Sequence, residues 1–333
     1  MNRPCIVYLP LCRLTFDMEC AQSYFAKSKA LLESMPIELL SPDQPLSSPE
    51  MLEEYVRNIR QKQPLLVLVQ SVTFVDATFM ACVANDLSCP IVLWGVREPA
   101  ADGGRLRLNS LTGVYAAGNL LVSLGRKFKY IFGNPEEAEL QAELAAEIEA
   151  VRVKALLRIL KVGVFGHFPS GFYFSNLEDT ELMRVIGPKL IRLELAAVAK
   201  KAQALGDEEI QVAINELKSR LAGTESLPAA TLEQYGRIRT AYKKLAEEHG
   251  MGALATRCWP DCFTEWQSAV CTAISFVTDS GVVASCEADI GGAISMYIAR
   301  QLTGSAPYFA DPVALDEENN AIIYWHCGVA PCS

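Results

Sequence analysis

The sequence predicts an α/β protein with two doubly wound domains, each a parallel sheet covered by helices. Three observations carry this: 333 residues of which 50% are apolar, short apolar runs alternating with amphipathic stretches, and a restart of that alternation after residue 160. Such a chain can bury two cores of ordinary size.

From the N-terminus, strands are expected at 5–11, 37–40, 65–70, 91–95 and 130–133. Each is a nearly continuous apolar run, as parallel strands buried on both faces require. Helices are expected between them at 18–33, 50–61, 77–85 and 110–124. Asn109 and Ser110 suit the N-cap of the last of these, and Trp94 ends a buried strand. A long helix should then run from Pro135, as an N1 proline, to about residue 160. Its acids come early (Glu136, Glu137, Glu139) and its bases late (Arg152, Lys154, Arg158), as the helix dipole favours. That helix closes an N-terminal α/β domain, 1–160.

The alternation resumes in a second α/β domain, 161–305, with strands at 162–166, 190–193, 253–258 and 282–286. Helices are expected at 208–221, at 232–248 with Gly250 and Gly252 closing it, and at 265–277.

Charge and composition narrow the function. A net charge of −9 with scattered acids offers no footprint for a phosphate backbone, so nucleic acid is not an expected partner. The apolar run after Arg3 is interrupted by Arg13 and Asp17 and lacks a cleavage site, and 64–83 contains Gln70, Ser71, Thr73 and Asp76. A cytoplasmic protein without a membrane span is expected. Eleven cysteines, an odd number without any C-x-x-C, read as reduced and mostly buried thiols. Cys258, Cys262, Cys271, Cys286, Cys327 and Cys332 do not show the tight paired spacing of structural zinc sites. Gly103-Gly104 and Gly291-Gly292 fit neither the Walker nor the dinucleotide pattern.

The sharpest chemical signal is a pair of acids. Glu265 opens the helix after strand 253–258, and Asp289 follows strand 282–286 just before Gly291-Gly292. A strand, crossover helix and parallel strand bring both to the carboxyl-end edge of one sheet, on strands about 4.8 Å apart. Two carboxylates there repel unless protonated or bridged by a hard cation such as Mn²⁺ or Mg²⁺. The same positions also suit acids that stabilise helix starts, and spacing alone does not separate the two. His326, at the end of an apolar strand at 321–325, is a third ligand, a substrate contact or a structural group. His167 on a Pro/Gly loop and His249 at a helix C-terminus are weaker candidates.

The stretches ATRCWPDCFTEW (255–266), SCEADIGGAISMYIARQLTG (285–304) and AIIYWHCG (321–328) resemble the L-fucose isomerase-like sugar isomerases, related to L-arabinose isomerase. LPLCRLTFDME (9–19), VTFVDATF (72–79), VLWGVREP (92–99) and GRLRLNSLTG (104–113) extend the resemblance over nearly the whole chain. It implies a metal-dependent aldose–ketose isomerase that passes through a cis-enediol, with manganese or another divalent cation on Glu265 and Asp289. Those two residues would also be catalytic, with Arg13 and His326 as substrate contacts. It further implies a sugar substrate and a homo-oligomer, trimer or hexamer. The family continues into a third, mainly β domain, of which 306–333 would be the truncated start. A non-catalytic two-domain sugar-binding protein and an inactive truncated isomerase are the alternatives.

Overall fold

Side-chain alternation along the strands decides how the first unit, Met1–Ala155, is layered. The computed structural model describes residues 3–326 and 328–333. In the first unit β1 (Cys5–Leu11), β2 (Glu38–Leu40), β3 (Leu66–Ser71), β4 (Ile91–Gly95) and β5 (Phe128–Phe132) form one parallel sheet, in the order β2-β1-β3-β4-β5. Val7, Leu9, Val67, Val69 and Leu93 face one way. There they meet α2 (Pro49–Ile59), α3 (Ala77–Asp86) and α4 (Ser110–Ser123) through Leu52, Val56, Phe79, Val83 and Leu121. Ile6, Tyr8, Leu66, Leu68, Val92 and Trp94 face the other way, towards α1 (Met18–Ser34) and α5 (Ala138–Ile159). Successive residues thus enter opposite cores, and this two-sided burial explains the unbroken apolar runs.

Polar groups inside this unit are paired. Trp94 donates from its indole nitrogen to Gly133 O at 2.9 Å, and Gln70 accepts from the Tyr8 hydroxyl while donating to Ser28 at 2.9 Å. The helices start where side-chain oxygens cap them: Asp17 for α1, Ser48 for α2, Asp76 for α3. Two local expectations are corrected. The fifth helix begins at Ala138, because Pro135 and Glu136 form a turn in which Glu137 accepts from Asn134 N at 2.9 Å. Asn109 holds the expected N-cap position of α4 but in a left-handed conformation and without bonding a helix amide, its side-chain oxygen instead accepting from the Thr112 hydroxyl at 2.7 Å.

The second unit, Leu156–Ser333, carries β6 (Lys161–Phe165), β7 (Lys189–Leu193), β8 (Ala253–Thr256) and β9 (Val283–Ser285), all parallel in the order β7-β6-β8-β9. One core gathers Phe165, Leu254 and Ala284 with α7 (Leu195–Gln203), α8 (Asp207–Arg220), α9 (Ala229–His249) and α11 (Cys271–Asp279). Gly250, with φ +66°, supplies the left-handed cap that ends α9. The helix expected over 265–277 is interrupted: α10 (Asp261–Glu265) ends at Glu265, and α11 starts only at Cys271. Glu265 therefore closes a short helix. The helices α6 (Asp179–Val185) and α7 were not among the sequence expectations. After α12 (Ile290–Thr303), β10 (Asp311–Asp316) and β11 (Ala321–Trp325) form an antiparallel hairpin. No helix among the described residues is long and apolar enough to cross a membrane.

Candidate metal centre

The carboxyl ends of β8 and β9 are held side by side by the register Ala253↔Val283, Leu254↔Ala284 and Ala255↔Ser285. Beyond β9 the chain turns sharply. Glu287 and Ala288 both adopt left-handed backbone, φ 61° and 52°, which is rare for residues with a Cβ. Ala288 N donates to Thr256 O at 2.9 Å, Asp289 N to Cys286 O at 3.0 Å, and the Ser285 hydroxyl to Asp289 O at 2.6 Å. These bonds to β8 and within the turn fix it.

Asp289 is the N-cap of α12, accepting from Gly292 N at 2.8 Å. Burial raises its carboxyl above the usual aspartate value, outweighing the amides of Gly292 and Gly291 that pull it down. A Cβ on Gly292 would stand 2.5 Å from the Phe309 ring and 2.8 Å from an Asp289 oxygen, so only glycine lets both approach.

Glu287, two residues earlier, was not singled out from sequence. Its carboxyl is raised by burial first, then by the charges of Asp311 and Asp289. Neither Glu287 nor Asp289 forms an ion pair with a lysine or arginine among the described residues. The neighbouring Arg257, at the end of β8, is already paired with Asp261.

His326 sits just past β11 and is buried, its ring 5.8 Å from that of Phe309. Burial lowers its pKa against the pull of Asp311, so the imidazole is neutral near pH 7. Its ligand nitrogen, Cys286 Sγ and a Glu287 oxygen all lie within 4.8 Å of one another. The structure thus gathers Asp289, Glu287, Cys286 and His326 around the turn after β9.

Glu265 has a different setting. It is exposed and lines a surface recess of about 240 Å³ with Ala202, Gln203, Gln234 and Arg237. Arg13 belongs to the first unit, after β1, where its guanidinium pairs with Asp76 and lies 5.7 Å from the Phe74 ring centre. His167 is exposed on its loop and His249 ends α9.

Of the six later cysteines, Cys258, Cys262, Cys271 and Cys286 are buried in one core, Cys332 is exposed, and Cys327 lies outside the described residues. The Cys286 thiol donates to Cys258 Sγ at 2.9 Å, which lowers the pKa of Cys258 and raises that of Cys286. Burial pushes Cys262 up to about 12.

No family model matches the chain. It is similar to a sulfoquinovose isomerase of Clostridium sp. (strain MSTE9), 40% identical over 329 residues that span 98% of this chain and 73% of that protein. The sulfoquinovose isomerase of Priestia megaterium is 38% identical over 334 residues, 100% and 74% of the two chains. That of Alkalicoccus urumqiensis is 35% identical over 329 residues, 98% and 73%. A solute-binding protein of Agrobacterium vitis, solved with α-D-tagatopyranose, is 14% identical over 92% of this chain and 91% of its own, with a TM-score of 0.23. That likeness carries no argument.

Proposed function

The chain belongs to the sulfoquinovose isomerase family, and from that premise we propose that it interconverts open-chain sulfoquinovose and the corresponding ketose. In this reading a divalent cation, manganese in class, is held by Glu265 and Asp289. The observation that supports a cation is the state of the carboxyls after β9. Glu287 and Asp289 are part-buried, both are raised, and no basic side chain among the described residues neutralises them. Acids so arranged are comfortable only with protons or with a positive ion, and an oxygen donor set fits a hard one. Bound there, such an ion would draw electron density from the sugar oxygens at C1 and C2 and so favour the enediol.

The remaining work falls to the chain's own groups. Isomerisation moves the C2 proton to C1 and the O2 proton to O1, turning the C1 aldehyde into an alcohol and C2 into a ketone. A carboxyl raised by burial is better matched to carrying the carbon-bound proton near neutral pH than an ordinary aspartate, and Asp289 meets that condition. Its bond to Gly292 N fixes the direction in which its free oxygen points. The neutral imidazole of His326 hydrogen-bonds a sugar hydroxyl. The working form is a homo-oligomer, trimer or hexamer.

Incubating the protein with Mn²⁺ and sulfoquinovose in D₂O tests the reaction: a ketose carrying solvent deuterium at C1 is expected. Absence of any ketose would sink the proposal. Mn²⁺ binding followed by electron paramagnetic resonance tests the site. Glu265→Gln and Asp289→Asn should each lose the bound signal, and undiminished binding in both would remove those ligands.

A further inference from the structure

We infer that Cys286, Glu287 and His326 form a second cation site, one that takes a thiophilic divalent ion of the zinc class. The three donor atoms lie within 4.8 Å of one another. In a tetrahedral zinc site with bonds of about 2.0–2.3 Å, ligand atoms stand roughly 3.5 Å apart, so closure needs movements of about 1 Å.

The donor set itself selects the ion. A thiol sulfur, an imidazole and one carboxylate make a borderline-soft combination that zinc prefers and manganese does not. Three protein ligands leave a fourth position for water or another small ligand.

The fold around the turn holds the three donors in place. The left-handed turn at Glu287 and Ala288, bonded to Thr256, holds the Glu287 side chain against the end of β9. His326 is buried beside Phe309. Cys286 is 1% exposed, so this sulfur is protected from bulk oxidants while remaining next to the other two donors.

The consequence for activity rests on the proposed function. If His326 contacts the sugar, an ion that captures His326 and Glu287 withdraws that contact, and zinc inhibits. The existence of the site does not depend on that reading.

Cobalt(II) is the probe, because a thiolate bound to it produces a near-ultraviolet charge-transfer band. Titrating the metal-free full chain with Co²⁺ should raise this band to saturation, and Zn²⁺ should bleach it. Cys286→Ser should abolish the band. Glu287→Gln and His326→Ala should weaken Co²⁺ binding by more than the roughly 10- to 100-fold typical of outer-shell partners. Glu265→Gln and Asp289→Asn should keep the band, so failure of the manganese site leaves this readout intact. Circular dichroism checks folding, and His326→Ala, at the end of a solvent-facing hairpin, remains informative if Cys286→Ser does not fold. The inference is overturned if saturating Co²⁺ gives no band, or if the band persists in Cys286→Ser or is unchanged in His326→Ala.

Discussion

The two sheets end in the same kind of edge, yet their acids live differently. In the first unit three carboxylates beyond the strands are answered by bases of the same unit: Asp76 by Arg13, Asp17 by Arg107 at 2.8 Å, and Glu137 by Arg97 through two bonds of 2.7 and 2.8 Å. Their pKa values are lowered, by the Thr78 hydroxyl first for Asp76, by the Cys20 amide first for Asp17, and by Arg97 for Glu137. In the second unit Glu287 and Asp289 are raised, chiefly by burial. Topology supplies the edge in both cases; the neighbouring side chains decide whether its charge is already satisfied or open to something arriving from solution.

The strongest way to break this contrast is to remove the open charge. Asp289→Asn should lose Mn²⁺ binding and lower kcat/KM by about 10²- to 10⁴-fold, the range for a lost proton-transfer group. Near-normal turnover of sulfoquinovose in this variant would show that the β9 edge is merely a helix start. A second route leaves every charge in place. Gly292→Ala drives a methyl against Phe309 and Asp289 and should cost about 1–3 kcal/mol in chemical denaturation, together with a loss of cation affinity. A variant as stable as the parent would mean that the turn yields easily.

Acid titration sharpens the contrast through its sign. Glu137 has a folded pKa of about 2 against 4.5 for the free group, so the unfolded chain binds more protons in that window. Its stabilisation is fully present above pH 4.5 and is lost as pH falls towards 2. Glu287 and Asp289 are raised above 4.5 and 3.8, so the folded chain binds more protons there, and stability without metal should fall as pH rises from those values. Thermal melts against pH should lose the first slope in Glu137→Gln and the second in Glu287→Gln. The smallest effect belongs to the first unit: Arg97→Ala, which breaks a solvent-screened pair, should barely move the melting temperature and leave cation binding unchanged. A larger loss would make that pair more than a surface contact.

Much of this was legible in the sequence, for reasons that also mark where legibility stopped. The strand at Ile91–Gly95 was read to the residue, because burial on both faces writes an unbroken apolar run. The helix over Leu195–Gln203 was missed, since LAAVAKKAQ is short and its apolar side is made largely of alanine and valine. The break between Glu265 and Cys271 was missed because WQSAV carries no proline or glycine to announce it. Asp289 was legible from its place between a strand and a glycine pair, and the resemblance reached a sugar isomerase. Glu287 was not. Its importance depends on a left-handed backbone that nothing in CEAD signals, and on a hairpin residue, Asp311, far away in sequence.

That left-handed turn has a consequence for how the protein would respond to selection. Glu287 and Ala288 each occupy a conformation costing about 1–2 kcal/mol for a residue with a side chain, and glycine would accept it freely. A search for heat-resistant variants should therefore be drawn to Ala288→Gly, and an isomerase assay on the hardier molecule would tell what the unfavourable geometry secures. The expected result is a more durable protein that turns over sugar more slowly, its acids no longer held at attention beside β9.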